Sequence, residues 1–181
     1  MARRGLDTTR DYLFVLDGSK ALRSAVAKMF GSDVLVQRCQ MHKRRNVKEQ
    51  LPPEHQNAID TRIRAAYNMA EYDKAKESLN LTVKYLERLN PSAAASLREG
   101  LEETLTLHKL GVTGLLRKTL STTNPIESCF SVIRTITGRV KRPRGGNMLQ
   151  RWAVAALLRA EKKFKRVNGY RVYCCLTAEI Y

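Results

Sequence analysis

Two carboxylates and one thiol–imidazole pair stand in settings that could support chemistry. Asp17 ends the apolar run Tyr12-Leu13-Phe14-Val15-Leu16 and precedes Gly18. Glu127 lies in Ser121-Thr122-Thr123-Asn124-Pro125-Ile126-Glu127-Ser128, a helix-start pattern, and Cys39 and His42 follow a second apolar run, Val34-Leu35-Val36. Carboxylates held at the ends of rigid elements are what a hard divalent cation requires of its ligands, and cations so bound drive phosphoryl transfer. Each residue also has a local explanation. Asp before Gly is a common turn pair, and Glu127, three residues after Asn124, occupies the position from which a capping-box carboxylate accepts the N–H of the cap residue. Cys39 reads equally as a small buried side chain and His42 as a helix-start residue. One Cys/His pair is half a structural zinc site, and His55 and His108 have no accompanying cysteine.

The elements that must position these groups follow from the pattern. Tyr12 to Leu16 reads as a buried strand, Ser19 can cap a helix over Lys20 to Phe30, and Gly31 stops it before the second strand. Strand, helix, strand is a parallel unit, and in such units functional groups gather at the carboxyl ends of the strands, where Asp17 and Cys39 fall. From about Lys43 to Leu120 no strand is legible. Ile59, Ile63, Ala66 and Tyr67 mark one helix; Leu79, Val83, Leu86 and Leu89 a second; Leu97, Leu101, Leu105 and Leu107 a third. After Leu120, Asn124 is the expected cap of a helix carrying Ile126, Phe130, Ile133 and Thr137 on one face until Gly138. A basic loop over Arg139 to Arg144 leads to a long helix from about Asn147 to Val167. Its apolar side is Leu149, Trp152, Ala153, Ala156, Leu157, Ala160 and Phe164, and its outer side carries Arg159, Lys162, Lys163, Lys165 and Arg166. The expected division is therefore 1–45, 46–120 and 121–181.

Charge selects the partner class. The 181 residues carry a formal +16, distributed unevenly. Residues 1–45 have ten Lys/Arg against four Asp/Glu, residues 46–120 eleven against ten, and residues 121–181 twelve against three. Two basic ends around a neutral middle are what a polyanion neutralises, and nucleic acid is the default. Arg139, Lys141, Arg142, Arg144, Lys162, Lys163, Lys165 and Arg166 are the expected phosphate contacts, which position DNA without reading its sequence. Four cysteines without a CxxC pair or framework spacing argue against a disulfide scaffold. No apolar stretch approaches a membrane span, and a reduced, cytoplasmic compartment is expected. No P-loop, GxGxxG or Ser-His-Asp pattern is present.

Taken in order, Asp17-Gly18-Ser19-Lys20-Ala21-Leu22 after a strand, Gln37-Arg38-Cys39-Gln40-Met41-His42 with Arg45-Asn46, Thr122 to Ser128, Arg151-Trp152, and Phe164 to Tyr170 resemble the carboxyl-terminal half of Mutator-type transposases of bacterial insertion sequences. The resemblance covers nearly the whole chain. It implies an α/β, RNase H-like catalytic fold carrying an all-helical insertion between the second and third acids of an Asp-Asp-Glu triad, here Asp17 and Glu127. It implies Mg²⁺ (or Mn²⁺) as cofactor, with Asp17 and Glu127 as metal ligands, and Cys39 and His42 as the family's C-x-x-H signature. The implied activity is cleavage and transfer of DNA strands, with insertion-element ends and target DNA as partners. Homo-oligomers in the full-length family and a nucleoid-associated location go with it.

Only sixteen residues precede Asp17, and Asp11 leads into the same strand while Asp7 is no better placed. The first acid and amino-terminal DNA-binding region that the resemblance implies are therefore expected to have no counterpart in these 181 residues. The expectation is a truncated α/β fragment, mostly α, with two parallel strands, inactive by itself. The competing expectation is a non-catalytic DNA- or partner-binding remnant.

Overall fold

The computed structural model describes residues 6–138, 140 and 145–171. The described residues are mostly helical with one small parallel sheet, and the chain divides into two compact units between Thr122 and Thr123.

In the first unit β1 (Leu13–Leu16) is followed by α1 (Lys20–Phe30) and β2 (Leu35–Arg38). The caps act as the sequence requires: the Ser19 hydroxyl accepts from the Leu22 N–H at 3.3 Å, and Gly31 closes α1 with φ +95°. The strands pair in parallel, Leu13 opposite Leu35 and Leu16 opposite Arg38. Among the described residues β1 pairs with β2 alone. Tyr12, Phe14 and Phe30 cluster, with the Phe14 and Phe30 ring centroids 4.7 Å apart, and hold α1 to the sheet.

The chain then continues through α2 (Gln40–Glu49), α3 (Pro53–Asn68), α4 (Tyr72–Leu89), α5 (Pro91–Arg98), α6 (Leu101–Thr104), α7 (Thr106–Lys109) and α8 (Gly114–Leu120). Val47, Ile59, Ile63, Tyr67, Leu79, Val83, Leu86, Leu97 and Leu105 form one continuous buried core. The expected third helix is a correction: Leu97, Leu101, Leu105 and Leu107 do not share one helix. Glu99 is extended and Gly100 takes a left-handed φ of +62°, so the chain turns a corner there and breaks into α5, α6 and α7. That corner brings the helices onto β2. The Gln37 side chain donates to Thr104 O at 2.9 Å and accepts from the Leu107 N–H at 3.0 Å, and the Thr106 hydroxyl donates to Val36 O at 2.6 Å.

In the second unit α9 (Asn124–Thr137) packs on α10 (Gly146–Glu161), burying Cys129, Ala156 and Ala160. Two expectations need revision. α10 stops at Glu161, short of Val167, because the backbone turns at Lys162 and Lys163. Of its expected apolar side, Leu149, Trp152, Leu157 and Phe164 are exposed.

Candidate functional site

Parallel pairing brings Asp17 and Cys39 to the same end of the sheet. The Cys39 N–H donates to Leu16 O at 2.7 Å, so the residues that follow β1 and β2 are neighbours at the carboxyl edge. Asp17 is exposed, and its Oδ1 accepts from the Ser19 N–H at 3.0 Å. The same carboxylate therefore shapes the turn into α1 and faces solvent, so the turn role and a ligand role are compatible.

Cys39 occupies the N-cap of α2 and is fully buried, with His42 one helical turn later. The Cys39 Sγ and His42 Nδ1 are 3.2 Å apart. The Gln40 N–H, at the start of the same helix, donates to Ser121 O at 2.9 Å, tying the segment that carries Cys39 and His42 to the end of α8.

Beneath the Asp17 turn lies a charged cluster that the sequence did not announce. The Arg38 side chain is only 9% exposed; it donates to the Glu99 carbonyl and to Glu99 Oε2, each at 3.2 Å. Lys43, wholly buried, donates through Nζ to Ser96 O at 2.6 Å and to Glu99 O at 2.5 Å, satisfying carbonyls at the end of α5. Lys20 approaches the other Glu99 oxygen at 3.6 Å. Burial, reinforced by the Arg38 charge, pushes the Lys43 amine down to about 8. Burial pulls Glu99 upward, but the Arg38 and Lys43 cations outweigh it and hold this carboxyl below its usual value. The local signals were a charged residue ending an apolar strand and the Glu99-Gly100 corner. Neither identifies a partner 61 residues away.

Glu127 belongs to the second unit, exposed in the first turn of α9. The N-cap is Thr123, one residue before the expected Asn124, and the Thr123 hydroxyl donates to Glu127 Oε1 at 2.6 Å. Glu127 thus stands at the start of a helix, with one oxygen held by the hydroxyl of the cap residue. Lys162, Lys163, Lys165 and Arg166 are exposed just beyond α10 instead of along it. Arg139, Lys141, Arg142 and Arg144 lie outside the described residues.

Exposed carboxylate oxygens on Asp17 and Glu127 are the donor type Mg²⁺ prefers. Among the described residues no group of three or more His, Cys, Asp and Glu side chains is arranged to hold a metal ion. The donor type of each carboxylate fits such a cation. No helix among those residues is long and apolar enough to cross a membrane.

A family profile described as "Transposase, Mutator family" matches residues 1–166. The transposase for insertion sequence element IS6120 of Mycolicibacterium smegmatis is 31% identical over 141 residues, covering 78% of this chain and 42% of the relative. The transposase for insertion sequence element IST2 of Acidithiobacillus ferrooxidans is 26% identical over 161 residues, covering 89% of this chain and 53% of the relative. The transposase for IS256 in transposon Tn4001 of Staphylococcus aureus is 29% identical over 136 residues, covering 74% and 33%. The chain spans about half the length, or less, of these relatives. No solved structure matches it.

Proposed function

The chain belongs to the Mutator family of transposases, and from that premise we propose that it supplies two acids of an Asp-Asp-Glu centre that cuts and joins insertion-element DNA. Asp17 is the second acid, at the end of a strand of a partial RNase H-like sheet, and Glu127 the third, in α9 after the helical region. The observation that carries the reading is the position of Asp17 at the carboxyl edge of a parallel strand pair, beside the Cys39 and His42 signature, in a chain matched by the family over residues 1–166. Mg²⁺ or Mn²⁺, when bound, would activate the attacking oxygen and stabilise the leaving one.

The chain's own groups do the rest. The Ser19 N–H fixes one Asp17 oxygen and the Thr123 hydroxyl fixes one Glu127 oxygen, so both carboxylates are oriented before any cation arrives. Lys162, Lys163, Lys165 and Arg166 contact DNA phosphates, as do Arg139, Lys141, Arg142 and Arg144, and grip the duplex without reading its bases. We expect the active assembly to be a homo-oligomer working at the nucleoid.

Two acids are fewer than the reaction needs, so the 181 residues alone should not cleave transposon-end DNA. Activity requires a third carboxylate supplied by another polypeptide segment. The test is co-expression with the amino-terminal half of a family member and assay of Mg²⁺-dependent nicking at insertion-element ends. Nicking that appears only in the combination, and is lost with Asp17→Asn or Glu127→Gln, is the expected result. Nicking that survives both substitutions overturns the assignment, and absence of nicking with DNA binding intact favours the non-catalytic remnant.

A further inference from the structure

A carboxylate at the tip of an exposed turn holds a cation well only if the turn itself is held still. The geometry points to Arg38 as a positioning residue that acts on Asp17 through Gly18 and locks the Asp17–Ser19 turn to the corner between α5 and α6. The inference rests on the proposed role of Asp17 as a cation ligand.

A guanidinium buried at the end of a strand costs several kcal/mol unless it is paired, so its place needs a reason. The pairing is with Glu99, through both its carbonyl and its carboxylate. The guanidinium nitrogens fill the space beside two glycines. A Cβ on Gly18 would lie 2.8 Å from Arg38 Nε and from Nη2, and a Cβ on Gly100 would lie 2.3 Å from Nη1. Gly18 has φ +105° and Gly100 φ +62°, conformations that favour glycine, so both backbones close directly on the guanidinium.

Gly18 follows Asp17 and precedes the Ser19 whose N–H holds the Asp17 carboxylate. Pinning Gly18 therefore restricts the dihedrals that aim Asp17. Lys43 braces the far side by holding the Glu99 carbonyl, and Arg23 ties α1 to Glu103 at 2.8 Å, so the helical region buttresses the acid-bearing turn at two points. Arginine suits this place and lysine does not, because a planar fork can bond the Glu99 carbonyl and carboxylate together while its nitrogens fill the space beside both glycines.

The experiment follows the Ser19 amide in the 181-residue chain. Arg38→Ala is expected to lower its hydrogen-exchange protection about tenfold, the size of one lost hydrogen bond, with the Leu79 and Leu86 amides unchanged. Guanidinium ion at roughly 50 mM should restore it where sodium ion does not, and Arg38→Lys should not retain it. Unchanged Ser19 protection in Arg38→Ala, with the core amides intact, overturns the inference.

A substitution cycle keeps the question open to refutation should Arg38→Ala fail to fold. Gly31 has a similar φ of +95° with nothing within 4 Å of an added Cβ, so Gly31→Ala reports backbone strain alone. Gly18→Ala should lower Tm more than Gly31→Ala, and the excess should shrink in an Arg38→Lys background, where the charge stays and the flat fork is gone. An excess of the same size in both backgrounds contradicts the clamp. In the complemented nicking assay Arg38→Ala should lower kcat at constant KM and recover with guanidinium; an unaltered kcat removes its positioning role. Nicking indifferent to Asp17→Asn defeats the cation-ligand reading and leaves the Ser19 result to decide Arg38.

Discussion

Replacing Lys43 by Met should leave stability almost unchanged at neutral pH and reduce it markedly at alkaline pH. The methionine keeps the unbranched stem and removes an amine that donates to Ser96 O and Glu99 O. Two terms oppose each other. The two bonds contribute about 1 kcal/mol each, and their loss leaves the α5 carbonyls unpaired. Against this, burial and the Arg38 charge, offset in part by Glu99 and Glu103, move the Lys43 amine from 10.5 to about 8, so keeping it charged in the fold costs on the order of 3 kcal/mol.

At pH 7 the amine is protonated in folded and unfolded chains alike, the terms nearly cancel, and parent and variant should lie within about 1 kcal/mol of each other. Between about 8 and 10.5 the unfolded chain holds the proton longer than the folded one, so the parent gains stability as pH rises. The Met variant has no such group. Urea unfolding of both chains should therefore show the parent's advantage growing by about 2 to 3 kcal/mol from pH 7 to pH 10. Taking the difference cancels the tyrosines and other lysines that titrate in the same range. A difference that is the same at both pH values refutes the reasoning, because Lys43 would then be an ordinary lysine in the fold.

Two further outcomes are expected. Asn90 accepts the Ala93 N–H at 3.0 Å to cap α5 and donates to Gln50 O at 2.7 Å, so Asn90→Ala should cost about 1 to 2 kcal/mol in urea unfolding. Replacing Lys162, Lys163, Lys165 and Arg166 together by Ala should flatten the slope of log K against log salt for duplex DNA by about 3 to 4. An unchanged slope denies that segment its phosphate contacts.

The strand-helix-strand start was legible because its signals are local. Five apolar residues end at Asp17, Ser19 supplies a hydroxyl to the first turn of α1, and Gly31 supplies the positive φ that ends it. The same kind of reading placed Asp17 and Cys39 at neighbouring strand ends. It failed where spacing alone mimicked a helix: Leu97, Leu101 and Leu105 repeat every four residues, yet Gly100 takes a left-handed conformation between them because the corner there has to meet β2. The cap of α9 slipped by one residue, from Asn124 to Thr123, whose hydroxyl donates to Glu127 Oε1 and makes no capping bond to a backbone N–H of α9. The pairing of Arg38 and Lys43 with Glu99 escaped altogether. A buried charge is defined by the partner it meets, and that meeting is made by tertiary packing that no periodicity records.

The central claim is that Asp17 and Glu127 ligate a divalent cation in strand cleavage, and a metal-specificity switch tests it most directly. In the complemented assembly, Asp17→Cys and Glu127→Cys each replace a hard oxygen by a soft sulfur, which Mg²⁺ binds poorly and Mn²⁺ tolerates better. Nicking of insertion-element ends should be lost in Mg²⁺ for both variants and recovered in Mn²⁺, while the parent works with either ion. Equal loss in both ions together with normal folding, or full activity in Mg²⁺, would contradict a ligand role for these carboxylates and leave Asp17 a turn residue and Glu127 the partner of the Thr123 hydroxyl at the start of α9.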